Sequence, residues 1–149
     1  MNASLRKYLL LTLCGGFISF ACDQRQNPDN FLGQRFDQVY AYKMNGRDAS
    51  VVEEEALSAN VIGQGKQLGP EETLELLDIL HDPESSGDLG AMCFEPRIGY
   101  VFYDNRKRII AHVTICIECS RIRSVPALDY NLLSPKASGR LVALEETVF

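Results

Sequence analysis

The segment from Cys93 to Cys119, CFEPRIGYVFYDNRKRIIAHVTICIEC, constrains this chain more than any other. Ile98–Tyr103 and Arg108–Ile117 are rich in β-branched and aromatic residues, and a polar run, Asp104-Asn105-Arg106-Lys107, separates them. That arrangement specifies a β-hairpin. With Tyr103 opposite Arg108, Ile98 faces Val113, Tyr100 faces Ala111 and Phe102 faces Ile109, an apolar face made for a core. The other face pairs Gly99 with His112, Arg97 with Thr114, Val101 with Ile110 and Glu95 with Cys116. It is mixed, as the solvated or partly covered side of an antiparallel sheet should be.

The remaining elements gather around this hairpin. Gln34–Lys43 has strand composition, and Asn45-Gly46 is a strong turn signal. Asp48–Leu57 is expected to return as the second strand, with Glu53-Glu54-Glu55 marking an edge or a strand end. Ser58–Leu68 is turn-rich, with room for a short strand at Asn60–Ile62. Pro70, Glu71 and Glu72 open a helix over residues 70–81, with carboxylates at the positive end of its dipole and Leu74, Leu77 and Leu80 on one stripe. Pro83 ends it, and His81 is expected as a cap or surface residue. Residues between Cys119 and Leu133 read as irregular. Ser134-Pro135 starts a second helix over 135–146, which Gly139 weakens, so Leu141 and Leu144 must dock on the sheet to hold it. The pattern is α+β, with an antiparallel sheet, a central hairpin and two helices.

The N-terminus reads as a secretion signal. Arg6 and Lys7 precede an apolar stretch, Tyr8–Phe20, too short to span a membrane. Ile18-Ser19-Phe20-Ala21-Cys22 resembles a lipobox, where cleavage precedes a cysteine that carries lipid. Asp23–Asn30 contains no apolar residue and suits a flexible tether. The expected organisation is a lipoprotein signal peptide at 1–21, a tether at 22–30 and one globular domain at 31–149. Resemblance to bacterial lipoproteins implies several acyl chains on Cys22, enough for stable anchoring. Loss of residues 1–21 leaves thirteen of the fifteen basic residues against twenty acidic ones, so the net charge moves from −5 to −7. That balance speaks against a nucleic-acid partner. The charge is uneven: Glu53–Glu95 holds eleven acidic residues and one basic, whereas Arg97–Arg123 holds six basic and two acidic. The two stretches are expected to attract each other, and the basic one offers a patch for an anionic ligand.

The hairpin register places Cys93 opposite Glu118, beside the Cys-x-x-Cys at 116–119. Cys14 leaves with the signal and Cys22 carries lipid, so three thiols converge. An odd count allows one disulfide and one free thiol in a monomer. Three arrangements are open. A structural disulfide would close the hairpin, with Cys93 preferring Cys116 by face parity and Cys119 as the alternative; a loop of roughly 25 residues would stabilise by about 3 kcal/mol. A redox dithiol is the second, although reactive Cys-x-x-Cys pairs sit at helix N-termini and this one ends a strand. A zinc site with Cys93, Cys116 and Cys119 as ligands is the third. His112 fits such a site badly, because four strand residues span about 13 Å, which leaves Glu95, Glu118 or His81 as the fourth ligand. Arg97, His112 and Thr114 share one predicted face and could hold a carboxylate or phosphate, although Arg97 also has Glu95 and Glu118 as ion-pair partners.

The pattern Cys93-Phe94-x-Pro96-Arg97-x-Gly99, then Phe102-Tyr103-Asp104, then Ile115-Cys116-x-x-Cys119, resembles a group of small, uncharacterised bacterial lipoproteins. The resemblance covers roughly residues 70–146, including the Leu-rich helix and the Ser134-Pro135-Lys136 helix start. One departure is Ile98, where these proteins often carry His. The resemblance implies no activity. The functional expectation is therefore a non-catalytic domain, lipid-anchored in the cell envelope on a periplasmic or outer-membrane face. It would bind an envelope protein or a small anionic ligand and need no cofactor. The alternative is a metal-binding or thiol-redox protein built on the three cysteines.

Overall fold

The computed structural model describes residues 30–149. The signal segment, Cys22 and the tether up to residue 29 lie outside the described residues. The chain runs β1 (Asn30–Phe31), β2 (Gln34–Arg35), β3 (Gln38–Met44), β4 (Val52–Glu53), β5 (Ala56–Leu57), β6 (Val61–Gln67), α1 (Pro70–His81), β7 (Ile98–Tyr103), β8 (Ile109–Cys116), β9 (Arg121–Val125) and α2 (Pro135–Val148). The fold is α+β, as its sequence pattern implies. Five strands form one antiparallel sheet in the order β6-β3-β7-β8-β9, and β1–β2 and β4–β5 are separate small hairpins. No helix among the described residues is long and apolar enough to cross a membrane.

One face of the sheet packs on both helices. Val39 and Ala41 of β3, Ile98, Tyr100 and Phe102 of β7, and Ala111, Val113 and Ile115 of β8 are all buried there. Against them lie Leu76, Ile79 and Leu80 of α1, with Ala137, Leu141 and Leu144 of α2. The α1 stripe therefore runs through Leu76, Leu77, Ile79 and Leu80, while Leu74 is half exposed. The Ser134 hydroxyl caps α2 by accepting the Ala137 N–H at 3.2 Å and itself donates to the Glu84 carbonyl at 2.7 Å. Arg140 joins the helices through Glu75 at 2.9 Å and Asp78 at 2.7 Å, and Lys136 reaches Asp82 and Glu84. The acidic segment thus finds its cations on α2. The basic segment pairs partly within itself, Arg108 with Asp104 at 2.6 Å and Arg97 with Glu118 at 3.7 Å, while Arg123 reaches Asp48 at 2.7 Å.

The central hairpin forms in a register two residues away from the expected one. Ile98 pairs with Ile115, Tyr100 with Val113 and Phe102 with Ala111, until a bulge at Ile110 brings Tyr103 opposite Ile109. An even slip keeps every side chain on its expected face up to the bulge. The cause is the loop. The Asp104 carboxylate accepts the N–H groups of Arg106 and Arg108 at 2.9 Å each, and Lys107 takes a left-handed φ of 59°. A turn followed by one αL residue is a standard three-residue hairpin loop, here with Lys where Gly is usual. Beyond the bulge Ile109 turns to the opposite face, and Ile115 takes its place in the core.

That opposite face is covered rather than solvated. Residues 48–57 do not pair with β3; they fold into β4–β5 and lie over it. The outer partner of β3 is β6, a segment whose two glycines and lysine give it little intrinsic strand preference. Gly63, Gln64 and Gly65 stand opposite Tyr42 alone, a bulge on the outer strand, and a Cβ on Gly65 would lie 2.4 Å from the Tyr42 ring. Val51, fully buried, seats in the notch left by Gly99, where a Cβ would lie 2.4 Å from the Val51 Cβ. The Val51 N–H donates to the Thr114 hydroxyl at 2.8 Å. Val51 and Val52 pack with Tyr42, Met44 and Val101 into a second core. The segment expected to be irregular after Cys119 contains β9, which buries Ile122 against the helices.

Overpacking a filled notch costs typically about 1–3 kcal/mol. Gly99→Ala is expected to lose stability of that order in urea denaturation, whereas Gly139→Ala, where a Cβ meets nothing within 4 Å, is expected to gain a few tenths of a kcal/mol or more.

Candidate functional site

β8 ends at Cys116, and the chain reverses through Ile117, Glu118, Cys119 and Ser120 to enter β9. Ser120 takes a φ of 50° to complete the reversal, and its N–H donates to the Ile117 carbonyl at 2.9 Å. The Cys-x-x-Cys motif is therefore a strand-to-strand turn. Within it Cys116 and Cys119 are joined as a disulfide, with α-carbons 5.2 Å apart. The expected preference of Cys93 for Cys116 is corrected: the sharp reversal brings the two motif cysteines together first, and Cys93 is left free.

Cys93 arrives from the segment that leads into β7. Ala91 fixes that segment by donating its N–H to the Cys119 carbonyl at 2.9 Å. The Cys93 sulfur lies 3.4 Å from the Cys119 sulfur. Two backbone N–H groups also point at the disulfide, Glu95 to the Cys119 sulfur at 3.5 Å and Cys119 to the Cys116 sulfur at 3.3 Å. Phe94 packs on Cys116 and Cys119 and helps seal them from solvent. The Arg123 guanidinium lies 3.8 Å above the Phe94 ring and pairs with Asp48 at 2.7 Å. The three sulfurs thus differ in access: Cys116 and Cys119 are buried, and Cys93 is exposed.

The other predicted site residues separate. Thr114 is wholly buried and spends its hydroxyl on Val51. Arg97 is exposed at the open end of the hairpin beside Glu118. His112 lies opposite Val101, nearer the closed end. Arg97 and His112 therefore face different surroundings, and the three residues form no common anion site. Among the described residues no group of three or more His, Cys, Asp or Glu side chains stands in a metal-holding arrangement. With Cys116 and Cys119 bonded to each other, three thiolates would become available together only after reduction. Ile98, at the position of the expected departure, is a core residue between β3 and β8.

His112 lines a cavity of about 600 Å³ with Glu54, Glu55, Tyr103 and Lys107. None of these four neighbours belonged to the expected site. The only sequence signal was the run of three glutamates. Glu54 and Glu55 form the two-residue turn between β4 and β5, at φ 50° and 65°, and Lys107 shares the left-handed region across from them. For residues other than Gly, Asn or Asp that conformation costs about 1–2 kcal/mol each. Such strain clusters at functional sites.

No family model, curated protein or solved structure matches this chain.

Burial lowers the pKa of His112 from its ordinary 6.5, and burial does the same for His81, whose Nδ1 is also buried without a partner. At His81 this burial works against the cationic form that a helix C-terminus favours. For both groups the unfolded chain takes up the proton first as pH falls. Their contribution to stability is full above about pH 6.5 and is lost as pH falls through the folded values. Asp82 and Asp104 are also lowered, chiefly by backbone N–H donors, but they act in the carboxylate range further down. Chemical denaturation between pH 5 and 7.5 is expected to show stability rising with pH, and His112→Leu to flatten that rise.

Proposed function

We propose that this is a cell-envelope domain, held at a membrane by lipid on Cys22, whose working site is the Cys93/Cys116/Cys119 cluster acting in thiol–disulfide exchange. The observation that supports the reading best is the 3.4 Å separation between the exposed Cys93 sulfur and the buried Cys119 sulfur of a disulfide. A disulfide stabilises more the longer the loop it closes. The Cys116–Cys119 bond spans three positions and restrains little of the unfolded chain, while the arm that carries Cys93 stays unlinked.

Exchange needs a thiolate, a disulfide sulfur and a leaving group. The Cys93 thiolate attacks the Cys119 sulfur. The Cys93–Cys119 bond forms, the Cys116–Cys119 bond breaks, and the electron pair leaves on Cys116. The Cys119 N–H, already 3.3 Å from that sulfur, stabilises the charge until a solvent proton arrives. The disulfide now includes the exposed sulfur. A client thiolate attacks Cys93, giving a mixed disulfide and freeing Cys119. The client's second thiol then resolves it and releases Cys93. The client dithiol is oxidised to a disulfide, and the protein disulfide is reduced to two thiols. The site differs from thioredoxin-like centres, since no helix N-terminus supplies the activation.

Peptide mapping after brief incubation at pH 8 is expected to find both the Cys116–Cys119 and the Cys93–Cys119 bonded forms. Cys93→Ser is expected to slow disulfide transfer to a dithiol peptide by about tenfold or more, because the remaining sulfurs are buried, while its melting temperature stays near that of the parent. Transfer as fast as the parent's would sink the exchange reading. Stoichiometric zinc on the reduced protein, lost in Cys119→Ser, would instead support the metal reading. Incorporation of a clickable fatty acid that disappears in Cys22→Ala tests the anchor.

A further inference from the structure

The cavity at the closed end of the hairpin has no part in the sulfur chemistry. Its volume, about 600 Å³, lies within the range of small-molecule sites. Val52 and Val125 give it apolar walls, and Val125 is half exposed. His112 is more than nine-tenths buried in its lining, with Nδ1 unpartnered. Burial lowers its pKa and so favours the neutral imidazole.

The charges that remain are uneven. Arg108 is committed to Asp104, at 2.6 Å. Glu54 and Glu55 make no ion pair among the described residues, and the single ammonium facing them across the cavity is that of Lys107. Two carboxylates therefore stand at the tip of a turn whose backbone conformation suits Asn-Gly far better than Glu-Glu. An Asn-Gly turn would relieve the strain and remove both carboxylates.

We propose that this cavity binds a small amphipathic amine, its ammonium between Glu54 and Glu55 and its apolar body against Val52 and Val125. The ligand is thus cationic, the reverse of the anion expected beside Arg97. Lys107 would repel a second cationic group at the far rim, which limits the ligand to one ammonium, and would favour one that carries a carboxylate there.

The test uses the oxidised domain at pH 7.5 and NMR, with benzylamine, benzyl alcohol and phenylacetate as probes. Benzylamine is expected to shift the His112 ring and the Val52 and Val125 methyl signals in a saturable way. Benzyl alcohol and phenylacetate are expected to bind about tenfold more weakly or worse, as loss of a paired charge implies. Glu54→Gln with Glu55→Gln keeps the turn and removes the charge, and should lose that preference for the amine. Glu54→Asn with Glu55→Gly should melt at a higher temperature and lose it too. Equal or tighter binding of the alcohol or the acid, the absence of a saturable shift, or amine binding retained in either double variant would overturn the proposal.

Discussion

The seating of Val51 in the Gly99 notch decides what kind of domain this is. Without it the sheet would have one buried face and one wet one. With it, β4–β5 closes over the second face, and polar side chains at the centre of that face become structural. The Thr114 hydroxyl satisfies a backbone N–H that burial would otherwise orphan, a defect worth about 1–3 kcal/mol. His112 is trapped under the same cover. An opening remains at each end of the hairpin. One exposes the Cys93 thiol and the other leads to the cavity beneath Glu54 and Glu55.

The two openings differ in chemistry because different constraints build them. At the open end, a reversal within four residues forces two cysteines together and a backbone hydrogen bond from Ala91 holds a third beside them. Sulfur chemistry there would depend on the proximity of the three sulfurs. At the closed end, two hairpin tips approach each other with charged residues in left-handed conformations. Recognition there would depend on charge and shape. Glu118 and Arg97 pair at the open end, both exposed, and such a pair contributes little to stability.

The helices and the central hairpin were legible because their signals are local. Pro70 with two carboxylates, Ser134-Pro135, and alternating apolar residues from Ile98 onward each specify one element without reference to the rest. The register was less legible, because it turns on how Asp104 caps its own loop. The convergence of three cysteines survived the error, since it needs only the approximate path of two strands; which pair bonds did not follow from parity, because the reversal after Cys116 breaks it. Strand β6 was nearly invisible: Gly63, Gly65 and Lys66 are poor strand residues, and β3 imposes the conformation. Strand β9 was hidden by its shortness and by Pro126, although Ile122 between two arginines carries the right alternation. The cavity was barely legible: Glu53-Glu54-Glu55 marks a strand end but does not announce a two-residue turn folded back over a sheet.

The bulge on β6 has a consequence for the surface of the molecule. An exposed outer strand offers unpaired N–H and C=O groups to any other strand that meets it. Here that strand is broken by three residues standing opposite one, contains two glycines and bears Lys66. The other outer strand presents Arg121 and Arg123. Neither rim is a flat, uncharged template. Copies of this domain crowded side by side would find no continuous ladder to extend, so the sheet ends at five strands instead of propagating from one molecule to the next.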